Sequence, residues 1–287
     1  MKVLIFIFAL ILVIVVILLI LKHVSIDDKL RDELSALPEK YFQFKDSIIS
    51  EKDISDFPLS VQKFFRVRGL IGKPLYTNGM CRFSGDFKMA IDQPWIKVET
   101  VQFNSFVEPL RIFIIRADKW GLFSMIGRDI YQNGRGNMTG KLMRLITIFD
   151  EKGEAFDTGE LTTYLNDAFF LFPWVLIHQK DSLRWEELSE RSVRVYFTDK
   201  QQTVQADIHF DEQGRLANYV TDDRFLNRNP AEPHEYIRTR WSTPVSAYQE
   251  IKGISIPTYG EAVWHYDDIH YKYAKFKLQD ITFNITR

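Results

Sequence analysis

The chain has 287 residues, which is enough for one large domain or two small ones with a substantial core. Its 37 Lys and Arg residues nearly balance its 38 Asp and Glu residues, and the formal net charge of -1 argues against a dedicated nucleic-acid binder, which has a strongly basic surface. Aromatic residues make up 14% of the chain, which favours a β-rich protein with a thick apolar interior.

An unbroken apolar run, Val3 to Leu21, lies near the N-terminus between Lys2 and Lys22. As a helix it would be roughly 28 Å long at about 1.5 Å per residue, enough to cross a bilayer core. A signal peptide has a shorter apolar stretch and a small-residue cleavage site. We therefore expect residues 1–24 to be an uncleaved transmembrane anchor that contacts the membrane through residues 3–21, with a cleaved signal peptide as the alternative.

The charges around this run leave the side of the membrane open. Positive residues follow the run at Lys22, Lys29, Arg31 and Lys40, and by the positive-inside rule they favour a cytoplasmic domain. A very short Met-Lys head before an apolar run is, however, the usual start of a bacterial export anchor. We expect a single-pass membrane protein with an extracytoplasmic domain, and a cytoplasmic domain is the alternative.

Two short helices are predicted next. The first runs from Ser25 to about Glu39, and the second from Pro58 to Arg68, with proline in its first turn and Gly69 as its stop signal. Residues 25–57 are predicted to be a helical and polar connector between anchor and domain. Residues 58–287 are predicted to form a single β-rich domain.

Short β-branched and aromatic runs alternate with turn signals from Asn78 onwards. Strands are predicted near residues 79–90, 95–104, 109–117, 120–132, 136–149, 183–188, 191–198, 202–210, 215–222, 235–241, 245–251, 254–256, 260–266 and 270–284. Because strand follows strand with short gaps, the sheet should be antiparallel. The fold class is therefore mainly β (α+β), a large curved antiparallel sheet or half-open barrel that wraps one central helix, with an N-terminal transmembrane helix.

The central helix is predicted over residues 157–174. Asp157 and Glu160 form a capping-box pair at its start, and apolar residues then recur at helical spacing. Glu160, Tyr164 and Asp167 share one edge of the apolar face. Such a helix among strands must be covered by the sheet, either as solid core or as the floor of a pocket.

The sequence does not match the common nucleotide-binding, metal-binding or nucleophile motifs. The glycines of 134–140 lack the spacing of a dinucleotide or phosphate loop, and its six histidines do not form a metal-binding pattern. No serine or cysteine has the surroundings of a nucleophile, and Cys81 is expected to be a small buried hydrophobe. We therefore assign no cofactor, no metal ligand and no catalytic residue.

The carboxylates of Glu160 and Asp167 are the best chemical candidates. They could orient a ligand, or act as acid and base if burial separated their pKa values. They could instead be structural, with Asp167 pairing with an arginine of the sheet. Arg224 is the candidate partner if it points inward, because a buried arginine needs a carboxylate, and surface pairing within its own loop is the alternative.

Several segments together resemble an uncharacterised bacterial family of domains of unknown function, over roughly residues 58–286. They are Pro94-Trp95, Tyr131, 134–138, 159–167, Phe172-Pro173, 184–186, 210–214, Asp223-Arg224, Tyr248, 253–257 and 260–264. In two places the chain departs from that pattern. Asp167 stands where glutamate is expected, and Phe169-Phe170 stands where an aromatic pair with Trp is common, and the shorter carboxylate weakens an enzymatic reading.

The expected fold of that family is similar to the bacterial lipoprotein-carrier type of fold, in which a curved sheet wraps a helix and leaves an apolar cavity. The family supplies no established activity. The apolar run, the aromatic content and the lack of a catalytic motif lead us to expect a membrane-anchored protein that binds or carries a lipid-like or apolar ligand in a cavity of the sheet. A hydrolase that uses Glu160 and Asp167, and an envelope scaffold without a ligand, are the alternatives. The expected ligand-binding residues are Glu160, Tyr164, Asp167, Arg224, Glu261 and Trp264.

Overall fold

The computed structural model describes residues 2–22, 25–44, 46–119, 123–143, 146–227 and 235–286. Its helices are α1 (Lys2–Lys22), α2 (Ile26–Ser35), α3 (Leu59–Val67), α4 (Glu154–Phe170) and α5 (Trp174–His178), with short 3-10 turns at Glu39–Tyr41, Glu51–Ile54 and Lys180–Ser182. Parts of several predictions lie outside the described residues: positions 1, 23 and 24 of the anchor, 45 of the connector, the strand positions 120–122, 144 and 145, and 228–234 and 287 of the domain.

Fourteen described strands form one antiparallel sheet. They are β1 (Asn78–Phe87), β2 (Ile96–Ser105), β3 (Leu110–Lys119), β4 (Phe123–Gln132), β5 (Arg135–Leu142), β6 (Ile146–Lys152), β7 (Leu183–Ser189), β8 (Ser192–Asp199), β9 (Gln202–Phe210), β10 (Leu216–Asn227), β11 (Tyr236–Ser242), β12 (Val245–Ile251), β13 (Ile254–Tyr266) and β14 (Ile269–Phe283). Their order across the sheet is β6-β5-β4-β3-β2-β1-β14-β13-β11-β10-β9-β8-β7, and β12 pairs with β13. The predicted antiparallel, mainly β fold is confirmed.

The sheet curves around α4, as predicted. Tyr164 of this helix donates a hydrogen bond to the carbonyl of Ser105 at the end of β2 (2.9 Å). The same ring stacks on Phe197 of β8 (6.0 Å between centroids). Strands far apart in the sheet order therefore meet on one helical residue, and almost all of α4 is buried.

The two faces of the sheet have different cores. On the concave face, α3, α4 and α5 pack with the sheet into one large apolar cluster. On the convex face, Ile26 and Leu30 of α2 pack over Phe103, Ile112 and other side chains of β2 to β4. Residues of β2 and β3 therefore alternate between a concave side that faces α4 and a convex side that faces α2.

Helix α4 begins earlier than predicted. Gly153, with φ of 112°, turns the chain directly out of β6, and the helix starts at Glu154. Asp157 therefore lies inside the first turn and is not the cap. Its carboxylate accepts hydrogen bonds from the Gly136 backbone N–H (2.7 Å) and the Arg135 guanidinium (2.8 Å), which join the helix start to β5.

In two segments the number of strands was predicted wrongly. The predicted strand 136–149 is two strands, β5 and β6, and the predicted strands 254–256 and 260–266 are one continuous strand, β13. The second prediction was wrong because Pro257 was taken as the end of a strand, where proline usually occurs. Here it lies inside β13, opposite Tyr248 of β12.

Helix α1 bears exposed apolar side chains from Val3 to Val16. Among the residues described in full, the structure contains no helix that is both long enough and apolar enough to cross a membrane, so the predicted transmembrane helix is not confirmed.

Candidate functional site

A cavity of about 190 Å³ lies between α4 and the concave face of the sheet. One wall is a single face of the helix, where Thr163, Asn166, Asp167 and Phe170 recur at helical spacing. The opposite wall is mainly aromatic, and its rings belong to Phe83, Phe87, Phe113, Trp241, Tyr273 and Phe276. The helix face that bears Asp167 therefore borders open space and is not packed as solid core, whereas Glu160 is not among the residues that line the cavity.

At the floor of this cavity, Arg111 of β3 holds both helix carboxylates. Its Nη1 lies 3.0 Å from Glu160 Oε2, and its Nε lies 2.9 Å from Asp167 Oδ2. All three side chains are about 95% buried. A buried carboxylate is tolerated when it is paired and hydrogen-bonded, and this guanidinium bridges two of them.

Two amides complete the surroundings of Asp167. Gln102 Nε2 donates to Asp167 Oδ2 at 2.7 Å, and Asn104 Nδ2 donates to the same oxygen at 3.1 Å. Burial raises the pKa of Asp167, while Arg111 and these two amides act in the opposite direction. The prediction that Asp167 pairs with a sheet arginine is therefore confirmed, but the partner is Arg111.

The position of this cluster follows from strand alternation. In β2, Gln102 and Asn104 point to the concave side, while Val101 and Phe103 pack beneath α2. The register aligns Gln102, Phe113, Asp129 and Met138 in one row across β2 to β5, and all four line the cavity.

Asp129 of β4 is the third carboxylate at this site. Burial, and secondarily the carboxylate of Glu160, raises the pKa of Asp129 to about 7. Arg111, Arg224 and Arg128 oppose this rise. Asp129 therefore changes its charge near neutral pH, inside the cavity.

Arg224 of β10 points into the cavity, but it does not pair with Glu160 or Asp167 as predicted. Its Nη1 donates to the carbonyl of Gly159 (3.2 Å) and to the hydroxyl of Thr163, both on α4. Its guanidinium carbon lies 4.8 Å from the centre of the Trp241 ring. The reason is geometric, because Arg111 already lies between the two carboxylates and Arg224 meets the helix one turn away from Asp167.

The remaining predicted site residues occupy three different positions. Glu261 lines the cavity and pairs with Lys272 (2.6 Å). Trp264 lies beneath Arg224, 5.8 Å from ring centre to guanidinium, and stacks on Tyr273. Tyr164 points away from the cavity into the core against Phe197.

Four residues of the site were not predicted from the sequence: Gln102, Asn104, Arg111 and Asp129. In sequence, the two amides alternate with Val101 and Phe103, which is the pattern of a strand with one face in solvent. Only the curvature of the sheet turns that polar face inward. Arg111 follows Leu110 at the start of an apolar strand, and no local pattern distinguishes it from a surface arginine.

Within the part of the chain that the structure describes, no three His, Cys, Asp or Glu side chains are grouped so that they could hold a metal ion. The groups that the cavity does offer are the carboxylate of Asp167 held by Arg111, the carboxylate of Asp129, the guanidinium of Arg224 and a wall of rings. This arrangement can bind a small molecule with an apolar body and a polar end.

Three solved structures resemble this fold at low sequence identity. A domain from Vibrio parahaemolyticus described as an outer membrane lipoprotein-sorting protein domain matches with a TM-score of 0.41 and 11% identity, over 72% of this chain and 85% of that one. A LolA superfamily protein from Nitrosomonas europaea matches with a TM-score of 0.39 and 8% identity, over 82% and 93%. A beta-barrel-like protein of the domain of unknown function DUF1849 from Brucella abortus matches with a TM-score of 0.24 and 11% identity, over 72% and 98%.

A search of curated proteins finds no match to this chain. One family model does match, and it extends over residues 47–276, most of the region in which the sequence resembles a family of uncharacterised domains. The chain belongs to the family of unknown function DUF6544.

Proposed function

We propose that this protein binds a small apolar or lipid-like molecule in the cavity between α4 and the concave sheet. The observation that supports this most is the aromatic wall opposite a polar helix face, around space that the core leaves unfilled. Ligand sites have this composition, mostly apolar with a few placed polar groups.

The cavity volume limits the ligand. Pockets for drug-sized ligands measure roughly 300–1,000 Å³, whereas an apolar cavity of about 150 Å³ accepts benzene. At about 190 Å³, this cavity encloses a ring or a short alkyl segment. A longer acyl chain would have only one end inside, with the rest extending past the cavity rim.

Two alternatives are less well supported. A hydrolase that used Glu160 and Asp167 would need these carboxylates to be available to a substrate, but Glu160 is bonded to Arg111, and Asp167 to Arg111 and two amides. A scaffold without a ligand would be expected to fill the space beside α4, because empty apolar space lowers stability.

Gentle purification of the full-length protein, solvent extraction and mass spectrometry test the proposal. We expect a co-purifying small apolar molecule that is absent from an Ala262→Phe variant, in which a ring fills the cavity. An extract that is identical for the two proteins would contradict the proposal.

We propose also that the chain is anchored in a membrane through residues 3–21, with its domain outside the cytoplasm. The supporting observation is the exposed apolar surface of α1. Arginine at the centre of a membrane helix costs about 2.5–3.5 kcal/mol by insertion measurements, so Ile11→Arg with Val13→Arg should release the protein from the membrane fraction. A C-terminal alkaline phosphatase fusion, active only outside the cytoplasm, reports the side; an inactive fusion would contradict the proposed side.

A further inference from the structure

The cavity contains two arginines in opposite electrostatic situations. Arg111 is bridged by two carboxylates. Among the described residues, by contrast, no carboxylate lies within ion-pair distance of Arg224, and its hydrogen bonds go to the Gly159 carbonyl and the Thr163 hydroxyl. Both acceptors are neutral, and Asp129 interacts with Arg224 only through space, without an ion pair.

The position of Arg224 is fixed by aromatic rings. Its guanidinium lies 4.8 Å from the Trp241 ring centre and 5.8 Å from the Trp264 ring centre. Trp241 is itself held by a hydrogen bond from its Nε1 to the Tyr273 hydroxyl (3.1 Å). A guanidinium has five N–H donors, and the two bonds to α4 both come from Nη1. The donors on Nε and Nη2 have no described acceptor, so they remain for a ligand.

We propose that the ligand of this cavity carries a carboxylate, and that Arg224 pairs with this carboxylate while the aromatic wall holds the apolar body. This inference rests on the proposed binding function. The planar fork of a guanidinium matches a carboxylate or a phosphate, and both are therefore tested. The nearby acidic groups Asp129 and Glu261 favour the ligand with the smaller negative charge, the carboxylate.

Asp129 makes this recognition depend on pH. The charged groups that act on it are Glu160 on α4, Arg111 on β3, Arg224 on β10 and Arg128 on its own strand. When protonated, Asp129 no longer repels a bound anion and can donate a hydrogen bond to it. Since the pKa of Asp129 is about 7, affinity for a carboxylate should fall as the pH rises from 6 to 8.

Calorimetric titration of the full-length protein with four ring compounds tests the proposal. The probes are benzoate, benzyl alcohol, benzylammonium and phenyl phosphate, whose ring matches the size of the cavity. At pH 6 we expect benzoate to bind at least tenfold more tightly than the other three. In Arg224→Met we expect that preference to disappear while benzyl alcohol still binds, and in Asp129→Asn we expect benzoate binding to lose its pH dependence.

Arg240→Met is the matched control, because Arg240 is an exposed arginine of the neighbouring strand β11 that pairs with exposed Asp222. It should keep the preference for benzoate. If none of the four compounds binds, the proposed function fails and this inference with it. If benzyl alcohol binds as tightly as benzoate, or if phenyl phosphate or benzylammonium binds best, this inference alone is wrong. The wild-type series decides between these outcomes even if Arg224→Met does not fold.

Discussion

At the scale of single residues, the decisive contact is the guanidinium of Arg111 between two buried carboxylates. A buried ion pair contributes little net stability, but removing one partner leaves an uncompensated buried charge, which typically costs 3–5 kcal/mol. Glu160 and Asp167 therefore have a structural role, and replacing either of them should first of all lower the free energy of unfolding.

Replacing Arg111 with methionine tests this reading. We expect Arg111→Met to lower the free energy of unfolding by about 3–5 kcal/mol, because Glu160 and Asp167 lose their shared counter-ion. Denaturant unfolding measures the loss. Arg31→Met is the control, since exposed Arg31 pairs with exposed Asp28 on α2, and exposed pairs contribute about 0–1 kcal/mol. Equal losses in both variants would contradict the account.

Asp129 should make stability depend on pH. The pKa of an unfolded aspartate is about 3.9, and that of Asp129 in the folded protein is about 7. Between these values only the folded state keeps the proton, so the contribution of Asp129 is fully present below about pH 3.9 and is lost as the pH rises through 7.

Asp129→Asn removes this titration. At about 1.4 kcal/mol per pKa unit, wild type should lose roughly 2 kcal/mol relative to the variant between pH 5.5 and 8.5. Unfolding free energies of both proteins at the two pH values measure this difference. Asp28→Asn, at an exposed position of α2, should show no comparable change. An Asp129→Asn variant whose difference from wild type is constant with pH would show that Asp129 does not titrate in this range.

At the scale of elements, the end of α4 is fixed by Arg68. This arginine, in the turn after α3, is fully buried and donates hydrogen bonds to the carbonyls of Phe169 and Phe170 at the helix C-terminus. Its Nε donates to the Ser255 carbonyl at the start of β13 (2.9 Å). One side chain therefore joins α3, α4 and the sheet, and burial lowers the pKa of Arg68 to about 10.

Arg68→Met should therefore destabilise the protein strongly, because it leaves three carbonyls without their donor. At about 1–3 kcal/mol for each buried polar group left unpaired, we expect a loss of at least 3 kcal/mol. Thermal unfolding monitored by circular dichroism measures it. Arg66→Met, two residues earlier and paired with exposed Glu51, should change stability by less than about 1 kcal/mol. A similar effect at both positions would refute the capping role of Arg68.

Most elements could be predicted from the sequence, because strand alternation and helical spacing are local patterns. The start of α4 could not, because it depends on the turn made by Gly153 and on the contact between Asp157 and β5. The orientation of Arg224 also departs from simple alternation, since the pairing of β10 with β11 is irregular between Thr221 and Arg224. Of the candidate site, Asp167, Arg224 and Glu261 were predicted from the sequence, whereas Gln102, Arg111 and Asp129 of β2 to β4 were not.

At the scale of the whole molecule, the sheet curves so that polar residues of β2 to β4 face a helix and not solvent. This curvature brings Gln102 and Arg111 together with Arg224, although they come from distant parts of the chain. No local sequence pattern contains that information. We expect the ligand to bind in the space that remains between the curved sheet and α4.

The most direct test is the saturable binding of benzyl alcohol by wild type and by Ala262→Phe, measured by calorimetric titration. Ala262 lines the cavity and is 7% exposed, so a phenylalanine ring at this position should occupy the space that the ligand would fill. A variant at the surface of α3, Val67→Phe, serves as control, and thermal unfolding establishes that both variants are folded. The account predicts binding by wild type and by Val67→Phe, and at least tenfold weaker binding by Ala262→Phe. Equal binding by all three proteins, or no saturable binding of either benzyl alcohol or benzoate by wild type, would contradict the proposed function.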